Sequence, residues 1–404
     1  MANNLSSRAL SLVHHGIARW WVHPLENRVI PWLESGRQTR FRSAILRWAA
    51  WCANVGRILV LELRVNVQRW VGSRWSVTYI GDGTSTEYLS SIMFPNEHTV
   101  VELPRVFLWQ VPALVQKYTG EGDLVVCELN EIARWSLSDV NTFFVVPLWI
   151  KQVLEEIDRP MEDILASINR TTRKNIRRLE KQDFSLVLTH KKEDFDLFYY
   201  RMYLPHITSR HKGRGMILDE YELLRKIFIS GGLLLIKDGQ NPVCGALHYM
   251  DGNTCVIRQG GVLDADFELV KRGVKIAQSW FMIQWAHNQG IQRIDFGSSR
   301  AQASDGVFQF KRHMGTRVVS HKYIYTQWGF YGQSLPENLR NHLNIQRMIT
   351  VVDRKFHLVL LSDSNDSTSS VDIARELKFA SACGLSGLVV INENGERRVI
   401  SHST

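Results

Sequence analysis

Short hydrophobic runs separated by glycine-containing turns fill the middle of the chain. Three runs, at residues 232–237, 242–249 and 254–260, are joined by Asp238-Gly239 and Asp251-Gly252. Because Asp-Gly pairs favour the turns that close tight hairpins, this pattern predicts an antiparallel meander. A helical pattern from residue 266 to 287 follows, ends near Gly290 and leads into a strand at residues 291–296.

Turn-forming residues divide the rest of the chain into helices and strands in the same way. Before the meander, helices are predicted at residues 4–21, 40–70, 105–118, 193–203 and 219–229, and strands at 76–80, 98–103 and 124–129. After it, the pattern predicts a strand at 356–361, a helix at 371–383 and strands at 388–391 and 397–400. The chain therefore reads as an α/β protein with more than one packed unit.

One predicted helix, at residues 161–181, has two distinct faces. Pro160 is tolerated at its start, and Glu162 and Asp163 favour the positive helix end. The apolar side carries Leu165, Ile168, Thr172, Ile176 and Leu179, and the opposite side carries Arg170, Lys174, Arg177 and Lys181. The cationic face is suited to a phosphorylated or polyanionic ligand, and the alternative is a face that only meets solvent.

Charge and cysteine content narrow the class of protein. Of the net charge of +9, residues 1–75 carry +8, from eleven arginines and three glutamates, and they also hold seven of the thirteen tryptophans. This segment suits either phosphates of lipid or nucleic acid, or packing against the rest of the protein. Five cysteines without CxxC spacing suggest neither disulfides nor a zinc site, and no apolar run of about 18 residues occurs. We therefore expect a cytoplasmic protein without a metal.

Three features occur in a characteristic order: the basic helix NRTTRKNIRRLEK at 169–181, the meander with its long helix, and IDFGSSRAQASDGVFQFKRHMG at 294–315. This succession resembles the FemAB and CelD-like branch of the GNAT acyltransferase superfamily, over roughly residues 158–325. The resemblance implies an α/β (α+β) fold with a GNAT-like mixed sheet and flanking helices. It implies two tandem units, at 76–157 and 158–330. The residue pattern adds a helical segment at 1–75 and a small α/β appendage at 331–404.

The resemblance also implies a donor and a place for it. CelD-like members are taken to use acyl-CoA, such as acetyl-CoA, whereas FemAB-type enzymes use aminoacyl-tRNA. A strand-to-helix turn in the fold receives the donor phosphates, since a helix start offers unpaired amides. The candidate donor residues here are Gln259, Gly260, Gly261, Lys271, Arg272 and Gly273. Of the usual Q/RxxGxG/A loop, only Gly273 is present.

Acyl transfer needs a group that orients or deprotonates the acceptor and one that stabilises developing negative charge. Asp295 is the candidate for the first task and Lys311 for the second, unless Asp295 caps its own loop and Lys311 lies exposed on a strand. The predicted substrate-binding residues are Arg170, Lys174, Arg177, His206, Arg210, Ser298, Ser299 and Arg300. His206 and Arg210 fall in LPHITSRHKGRG, which is expected to form a flap over the acceptor or a solvated loop.

The expected function is direct transfer of an acetyl, other acyl or aminoacyl group to an amine or hydroxyl of a cell-envelope or polysaccharide precursor. The protein is expected in the cytoplasm or at the inner face of the membrane, with anionic lipid or tRNA as further partners. Motifs of zincins, serine hydrolases, P-loop proteins and dinucleotide-binding enzymes are missing from the sequence. The alternative is an inactive GNAT-fold protein that binds nucleic acid or an anionic membrane through residues 1–75. The sequence does not predict the oligomeric state.

Overall fold

The computed structural model describes residues 64–402, except 131–132, 138–139, 141, 212–220, 320–325 and 363–369, together with a few helical residues between Ile45 and Val55. The helix predicted at residues 4–21 lies outside this part of the chain. The helix predicted at 40–70 does not continue to its expected end, because Arg64–Val71 forms a strand. Val65 and Val67 alternate with less buried neighbours along this segment, which is the period of a strand.

The first sheet has six strands. They are β1 (Arg64–Val71), β2 (Ser76–Gly81), β3 (Thr99–Phe107), β4 (Leu124–Asn130), β5 (Thr142–Pro147) and β13 (Thr326–Tyr331), in the order β3-β1-β2-β4-β13-β5. Helix α1 (Thr86–Met93) packs on one face through Leu89 and Met93, and α2 (Val111–Gly120) packs on the other through Val111 and Val115. The strands predicted at 76–80 and 124–129 are confirmed. The strand predicted at 98–103 runs on to Phe107, so the helix predicted at 105–118 begins only at Val111.

The second sheet has seven strands and contains the predicted meander. They are β6 (Ile150–Leu154), β7 (Phe184–Thr189), β8 (Gly232–Asp238), β9 (Asn241–Asp251), β10 (Thr254–Val262), β11 (Arg293–Ser299) and β12 (Arg317–Val319). Their order is β12-β6-β11-β10-β9-β8-β7. Strands β8, β9 and β10 are antiparallel neighbours, and both Asp-Gly turns place their glycines at positive φ. The sequence pattern did not predict β6, β7 or β12.

Helices cover both faces of the second sheet. They are α3 (Met161–Ser167), α4 (Arg170–Leu179), α5 (Lys192–Leu197), a π-helix (Phe198–Tyr203), α6 (Leu204–His211), α7 (Tyr221–Ser230), α8 (Phe267–Arg272), α9 (Val274–Asn288) and α10 (Gly306–His313). Helices α4 and α9 lie over one part of the apolar core, and the π-helix and α7 over another.

Two helices predicted as continuous are each broken in the structure. The helix expected at 161–181 divides at Ile168, because Asn169 adopts an extended conformation and its side chain accepts a hydrogen bond from the Thr171 amide at 2.9 Å. The helix expected at 266–287 divides at Gly273, which has φ +94°. A left-handed glycine ends α8 and starts α9 in a new direction.

The C-terminal unit is a four-stranded sheet with two helices. It contains α11 (Glu337–Gln346), β14 (Ile349–Val352), β15 (Lys355–Leu361), α12 (Ser370–Ala382), β16 (Gly387–Ile391) and β17 (Arg397–Ser401), with the strands in chain order. Leu358 and Leu388 belong to the same apolar cluster as Trp70 and Trp328 of the first sheet. The unit therefore shares a core with the first sheet, which its description as an appendage did not foresee.

The two larger sheets exchange strands across the predicted boundaries. Strand β6 precedes residue 158 but pairs with β11 of the second sheet, whereas β13 begins within the predicted second unit, ends at Tyr331 and pairs with β4 of the first sheet. The predicted α/β fold with tandem sheets is confirmed. Within the described residues, no helix is both long enough and apolar enough to cross a membrane.

Candidate active site

The candidate site forms where β10 and β11 separate. These strands pair in parallel over three residue pairs, which end at Val256 and Asp295. Beyond that point β10 runs on to Val262 beside β9, whereas β11 runs on to Ser299 beside β6. Two parallel strands that lose their ladder expose backbone groups to whatever lies between them. Asp295 therefore stands at the inner end of a wedge.

Both carboxylate oxygens of Asp295 accept hydrogen bonds. Lys151 Nζ of β6 lies 2.9 Å from Oδ2, and the Gly297 amide donates to Oδ1 at 2.8 Å. The residue is 5% exposed, so the ion pair is largely shielded from solvent. The register of β11 against β6 shifts between Asp295 and Ser298, and Gly297 has φ +77°. Such a β-bulge turns side chains out of their regular alternation, and bulges are common beside active sites.

Lys311 approaches the same bulge from α10. Its Nζ donates to the carbonyl oxygens of Gly297 and Ser298, at 3.0 and 2.8 Å. The side chain is buried in a helix, which corrects the alternative that placed it exposed on a strand. Burial lowers the pKa of Lys311 to about 7, and Asp295 and Asp305 partly oppose the change. An amine with so low a pKa can release and accept a proton near neutral pH, which suits proton transfer.

A buried hydrogen-bond network supports the bulge from below. Gln152 of β6 accepts from Ser299 Oγ at 2.7 Å and donates to the Phe308 carbonyl at 3.2 Å. Ser299 is therefore committed to the protein interior, which corrects its predicted contact with substrate. Ser298 contributes its carbonyl to Lys311, and the structure places both serines within β11 instead of in a loop after it.

Arg300 was also predicted to bind substrate, and its position is different from that expectation. Its guanidinium carbon lies 4.0 Å from the ring centroid of Trp149, 4.7 Å from that of Tyr88 and 5.5 Å from that of Trp328. Burial lowers the pKa of Arg300, and nearby Glu128 opposes this effect. The side chain is therefore packed among aromatic rings of the first unit and of the residue that precedes β6.

The residues predicted to hold the donor divide into two groups. Gln259, Gly260 and Gly261 lie on the part of β10 that has left β11, so they border the wedge. Lys271 pairs with Glu268 and Arg272 pairs with Asp238, at 2.7 and 2.9 Å, on the surface of α8. The long turn therefore contains an extra short helix that engages both cations. The basic group nearest Gly260 is instead Lys275 of α9, whose Nζ would lie 3.2 Å from a β-carbon at that glycine.

The cationic face of α4 is confirmed, and a cavity adjoins the same helix. Arg170, Lys174 and Arg177 are exposed, whereas Thr172 and Ile176 are buried. The cavity has a volume of about 390 Å³ and lies where α4, α9 and α10 meet. Its lining residues are Asn169, Thr171, Thr172, Asn175, Ile276, Phe310, His313 and Met314. Amides, hydroxyls and an imidazole make this lining suitable for a polar ligand.

The predicted flap begins as a helix. His206 lies in α6 and is 8% exposed, which is less than a solvated loop would give. Arg210 lies near the end of α6, and its side chain is outside the described part of the chain, as are residues 212–220. Burial of His206 removes it from the group of exposed contacts that the sequence had suggested.

Sequence reasoning missed two residues of this centre, Lys151 and Gln152. Both lie on β6, where they interrupt the apolar run VVPLWIKQVL. A lysine and a glutamine inside a strand of buried residues require partners, because an unpaired buried polar group is costly. That interruption was the available signal.

Comparison with known proteins assigns a class to this part of the chain. A family model described as an acetyltransferase (GNAT) domain matches residues 166–312. Asp295 and Lys311 both lie within the matched residues, whereas Lys151 precedes them. Acyl-CoA is the general donor of GNAT domains. No curated protein matches the chain significantly.

Solved structures are similar at low identity. FemX has a TM-score of 0.34 and 12% identity, over 69% of this chain and 90% of that one. The L-PGS structure from Bacillus licheniformis has a TM-score of 0.33 and 12% identity, over 72% and 87%. The C-terminal domain of a putative lysylphosphatidylglycerol synthetase from Agrobacterium fabrum has a TM-score of 0.33 and 10% identity, over 68% and 85%.

Proposed function

We propose that the protein is an acyltransferase that moves an acyl group from acyl-CoA to an amine or hydroxyl in the wedge between β10 and β11. The observation that carries this proposal is the position of Asp295. It lies inside the GNAT match, at the residue where the parallel strands separate. It forms an ion pair with Lys151 and interacts electrostatically with Lys311. A carboxylate and a lysine of low pKa, both largely shielded from solvent, are groups that commonly transfer protons in active sites.

The reaction requires one bond to form and one to break. The lone pair of the acceptor nitrogen or oxygen attacks the thioester carbonyl carbon, the new C–N or C–O bond forms, and the C–S bond breaks with its electrons on sulfur. Lys311, neutral above its pKa of about 7, has a lone pair for the proton that the acceptor loses, and this proton passes on to the departing thiolate. No covalent enzyme intermediate is involved.

Asp295 and Lys151 act as the orienting pair in this scheme. Each carboxylate oxygen can accept more than one hydrogen bond, so Asp295 keeps capacity for an N–H or O–H of the acceptor beside its bonds to Lys151 and Gly297. The Lys151 ammonium is the more exposed partner, with 19% of its side chain accessible. It is therefore the cation that can approach the negative charge developing on the carbonyl oxygen.

The phosphate-bearing part of the donor is proposed to lie along α4. Arg170, Lys174 and Arg177 form the exposed cationic face of this helix. The cavity of about 390 Å³ borders the same helix on another side, at Thr171, Thr172 and Asn175. Arginines bind phosphate through two parallel hydrogen bonds, whereas lysine binds it as a point charge. The same face would bind the phosphates of an aminoacyl-tRNA, which is the donor used by FemAB-type enzymes.

The acceptor is proposed to be an amine or hydroxyl of a cell-envelope or polysaccharide precursor, the class implied by the resemblance to FemAB and CelD-like proteins. Such precursors are made on the cytoplasmic side of the membrane or at its inner face, and the protein is proposed to work there. A basic, tryptophan-rich segment at residues 1–75 suits contact with an anionic surface.

The test is thiol release from a panel of acyl-CoA esters with amino sugar and amine acceptors, alongside calorimetric titration with acetyl-CoA and with aminoacyl-tRNA at two salt concentrations. We expect saturable CoA binding with weak salt dependence, and loss of about 100-fold or more in kcat for Lys311→Met. Lys117→Met, at an exposed lysine of α2, is the matched control. Steeply salt-dependent tRNA binding without CoA binding would favour the aminoacyl donor. Full thiol release by Lys311→Met would reject the assigned site.

A further inference from the structure

The first sheet has a carboxylate at the position that Asp295 occupies in the second. Strands β2 and β4 pair in parallel, and their last pair is Gly81 with Glu128. Strands β10 and β11 pair in parallel, and their last pair is Val256 with Asp295. In each sheet an antiparallel strand from elsewhere in the chain lies on the other side of the carboxylate-bearing strand. Glu128 is therefore the positional counterpart of Asp295.

Unlike Asp295, Glu128 is completely enclosed. It is 0% exposed, and its carboxylate accepts hydrogen bonds from Tyr79 Oη at 2.7 Å and from Ser85 Oγ at 2.8 Å. A buried carboxylate is costly unless its oxygens are paired, and these hydroxyls meet part of that need. Glu128 does not line the cavity of the first unit, which is bordered by Gly72, Trp75, Phe94 and His342. With no exposed surface, this carboxylate is closed to a substrate.

What Glu128 faces is the end of the strand that carries Asp295. Its charge stabilises the ionised form of Arg300, and Arg300 Nη1 lies 3.5 Å from Ser85 Oγ. The guanidinium is packed against Trp149 at 4.0 Å, and Trp149 directly precedes β6, the strand of Lys151. A half-buried arginine with a carboxylate and aromatic partners has one favoured position.

A second contact holds the other end of the same loop. Residues 300–305 join β11, with Asp295, to α10, with Lys311. Tyr88 of α1 lies with its hydroxyl 2.8 Å from Gln302 Oε1 and 3.3 Å from Asp305 Oδ2. Asp305 caps α10 by accepting from the amides of Val307 and Phe308. The first unit thus touches both the start and the end of the loop.

We propose that Glu128 is a positioning residue of the acyl-transfer site: through Arg300 it fixes the loop at 300–305, and so sets how Asp295 and Lys311 stand relative to each other. This inference rests on the proposed function for its catalytic consequence. Its structural consequence, a defined environment for Lys311, can be measured without any turnover. Glu128 of the first sheet would then contribute to acyl transfer in the second sheet by positioning its catalytic residues.

The test compares Glu128→Gln with Asp123→Asn. Asp123 is a second buried carboxylate of the first sheet, which pairs with Arg69 and Thr78 and has no contact with Arg300. The first readout is the pKa of Lys311. It is measured by NMR titration of protein labelled with ¹³C at the lysine Cε atoms, and Lys311→Met assigns the signal. The second is the KM and kcat of thiol release from acyl-CoA. Arg300→Lys, which keeps the charge, is the conservative variant.

In Glu128→Gln we expect the pKa of Lys311 to rise toward the ordinary lysine value of about 10.4, because a released loop admits water around the amine. Loss of a negative charge acting only through space would lower it, so the sign separates the two causes. We expect kcat to fall roughly tenfold or more with KM little changed, because a displaced catalytic group slows the chemical step more than it weakens substrate binding. For Arg300→Lys, the pKa of Lys311 and kcat should lie between those of the wild type and of Glu128→Gln. Asp123→Asn should lose stability without changing the pKa of Lys311.

The outcomes also separate this inference from the proposed function. An unchanged or lowered pKa of Lys311 in folded Glu128→Gln would overturn the positioning role, whatever the activity. A raised pKa in a protein whose wild type transfers no acyl group would support the positioning role and reject the function. Equal shifts in Glu128→Gln and Asp123→Asn would show general loosening of the first sheet and would also overturn the inference.

Discussion

Lys151 and Asp295 lie on neighbouring antiparallel strands and form an ion pair at 2.9 Å, with 19% and 8% of their side chains exposed. The bulge at Gly297 accompanies this contact, since β11 has one extra residue between Asp295 and Ser298 relative to β6. The pair joins a strand outside the GNAT match to one inside it. Its energetics can therefore be measured separately from catalysis.

Removing one partner of this pair should cost more than removing both. Lys151→Met leaves a buried carboxylate and should lower the free energy of unfolding by about 3 kcal/mol. The double variant Lys151→Met/Asp295→Asn should be less destabilised than Lys151→Met alone, and therefore less than the sum of the two single variants. Urea unfolding of the four proteins gives the coupling energy. For the exposed pair Lys117 and Glu121 the same cycle should give about 0.5 kcal/mol or less, and equal couplings would contradict the burial of the first pair.

Stability should rise with pH through the window in which Lys311 is neutral in the folded protein but protonated in the unfolded one. Its folded pKa is about 7, well below the ordinary value of 10.5. Between these values the unfolded chain binds the extra proton, so stability increases with pH and is lower below pH 7. Lys311→Met should remove this slope in urea unfolding between about pH 6 and 8. Above that range burial raises the pKa of Cys255 and of Cys383, which acts in the opposite direction.

A wild-type slope that Lys311→Met leaves unaltered would show that another group is responsible. His248 is the first to exclude, because burial lowers its pKa to about 4 and it contributes in the same direction at lower pH. His248→Phe should reduce the pH dependence of stability below pH 7, to which His313 and His357 also contribute because burial lowers their pKa values, and it should leave the slope above pH 7.

The close packing of β10 on the π-helix makes Gly261 a sensitive position. A β-carbon there would overlap the carbonyl oxygen of Met202 and lie 2.7 Å from the nitrogen of Tyr203. Gly261→Ala should therefore cost about 1 to 3 kcal/mol of stability, measured by urea unfolding. Gly306→Ala, at the start of α10 with open space around it, should be neutral or stabilising by up to about 1 kcal/mol. Tolerance of alanine at both positions would refute the predicted contact.

Much of the second sheet was predictable because its signals are local. Asp-Gly turns and short apolar runs define β8, β9 and β10 without any knowledge of partners. The division of the helix at Ile168 was not predictable by period, since Ile164, Ile168, Thr172 and Ile176 continue one buried stripe through the break. Only the Asn169 cap marks the boundary, and a single asparagine is a weak signal.

The candidate site was predicted in part for a similar reason. Asp295 and Lys311 are in a motif that can be read along the chain, but Lys151 is 144 residues away from Asp295 and meets it only through strand pairing. The burial of Lys311 in a helix, and of Arg300 among aromatic rings, depends on packing between distant units. Local periodicity contains no information about such contacts.

The cationic face of α4 should determine how tightly the donor binds and should leave the chemical step unaffected. Replacing Arg170, Lys174 and Arg177 together by Gln removes three charges whose side chains are exposed and do not belong to the apolar core. We expect KM for acyl-CoA to rise about tenfold with kcat little changed, because interactions equal in ground and transition states affect KM alone. A control that removes three exposed charges elsewhere is Lys117→Gln/Arg225→Gln/Arg293→Gln. Equal increases in both triple variants would assign the effect to net charge and reject a donor site on α4. A fall in kcat confined to the α4 variant would instead place these residues in contact with the transferring group.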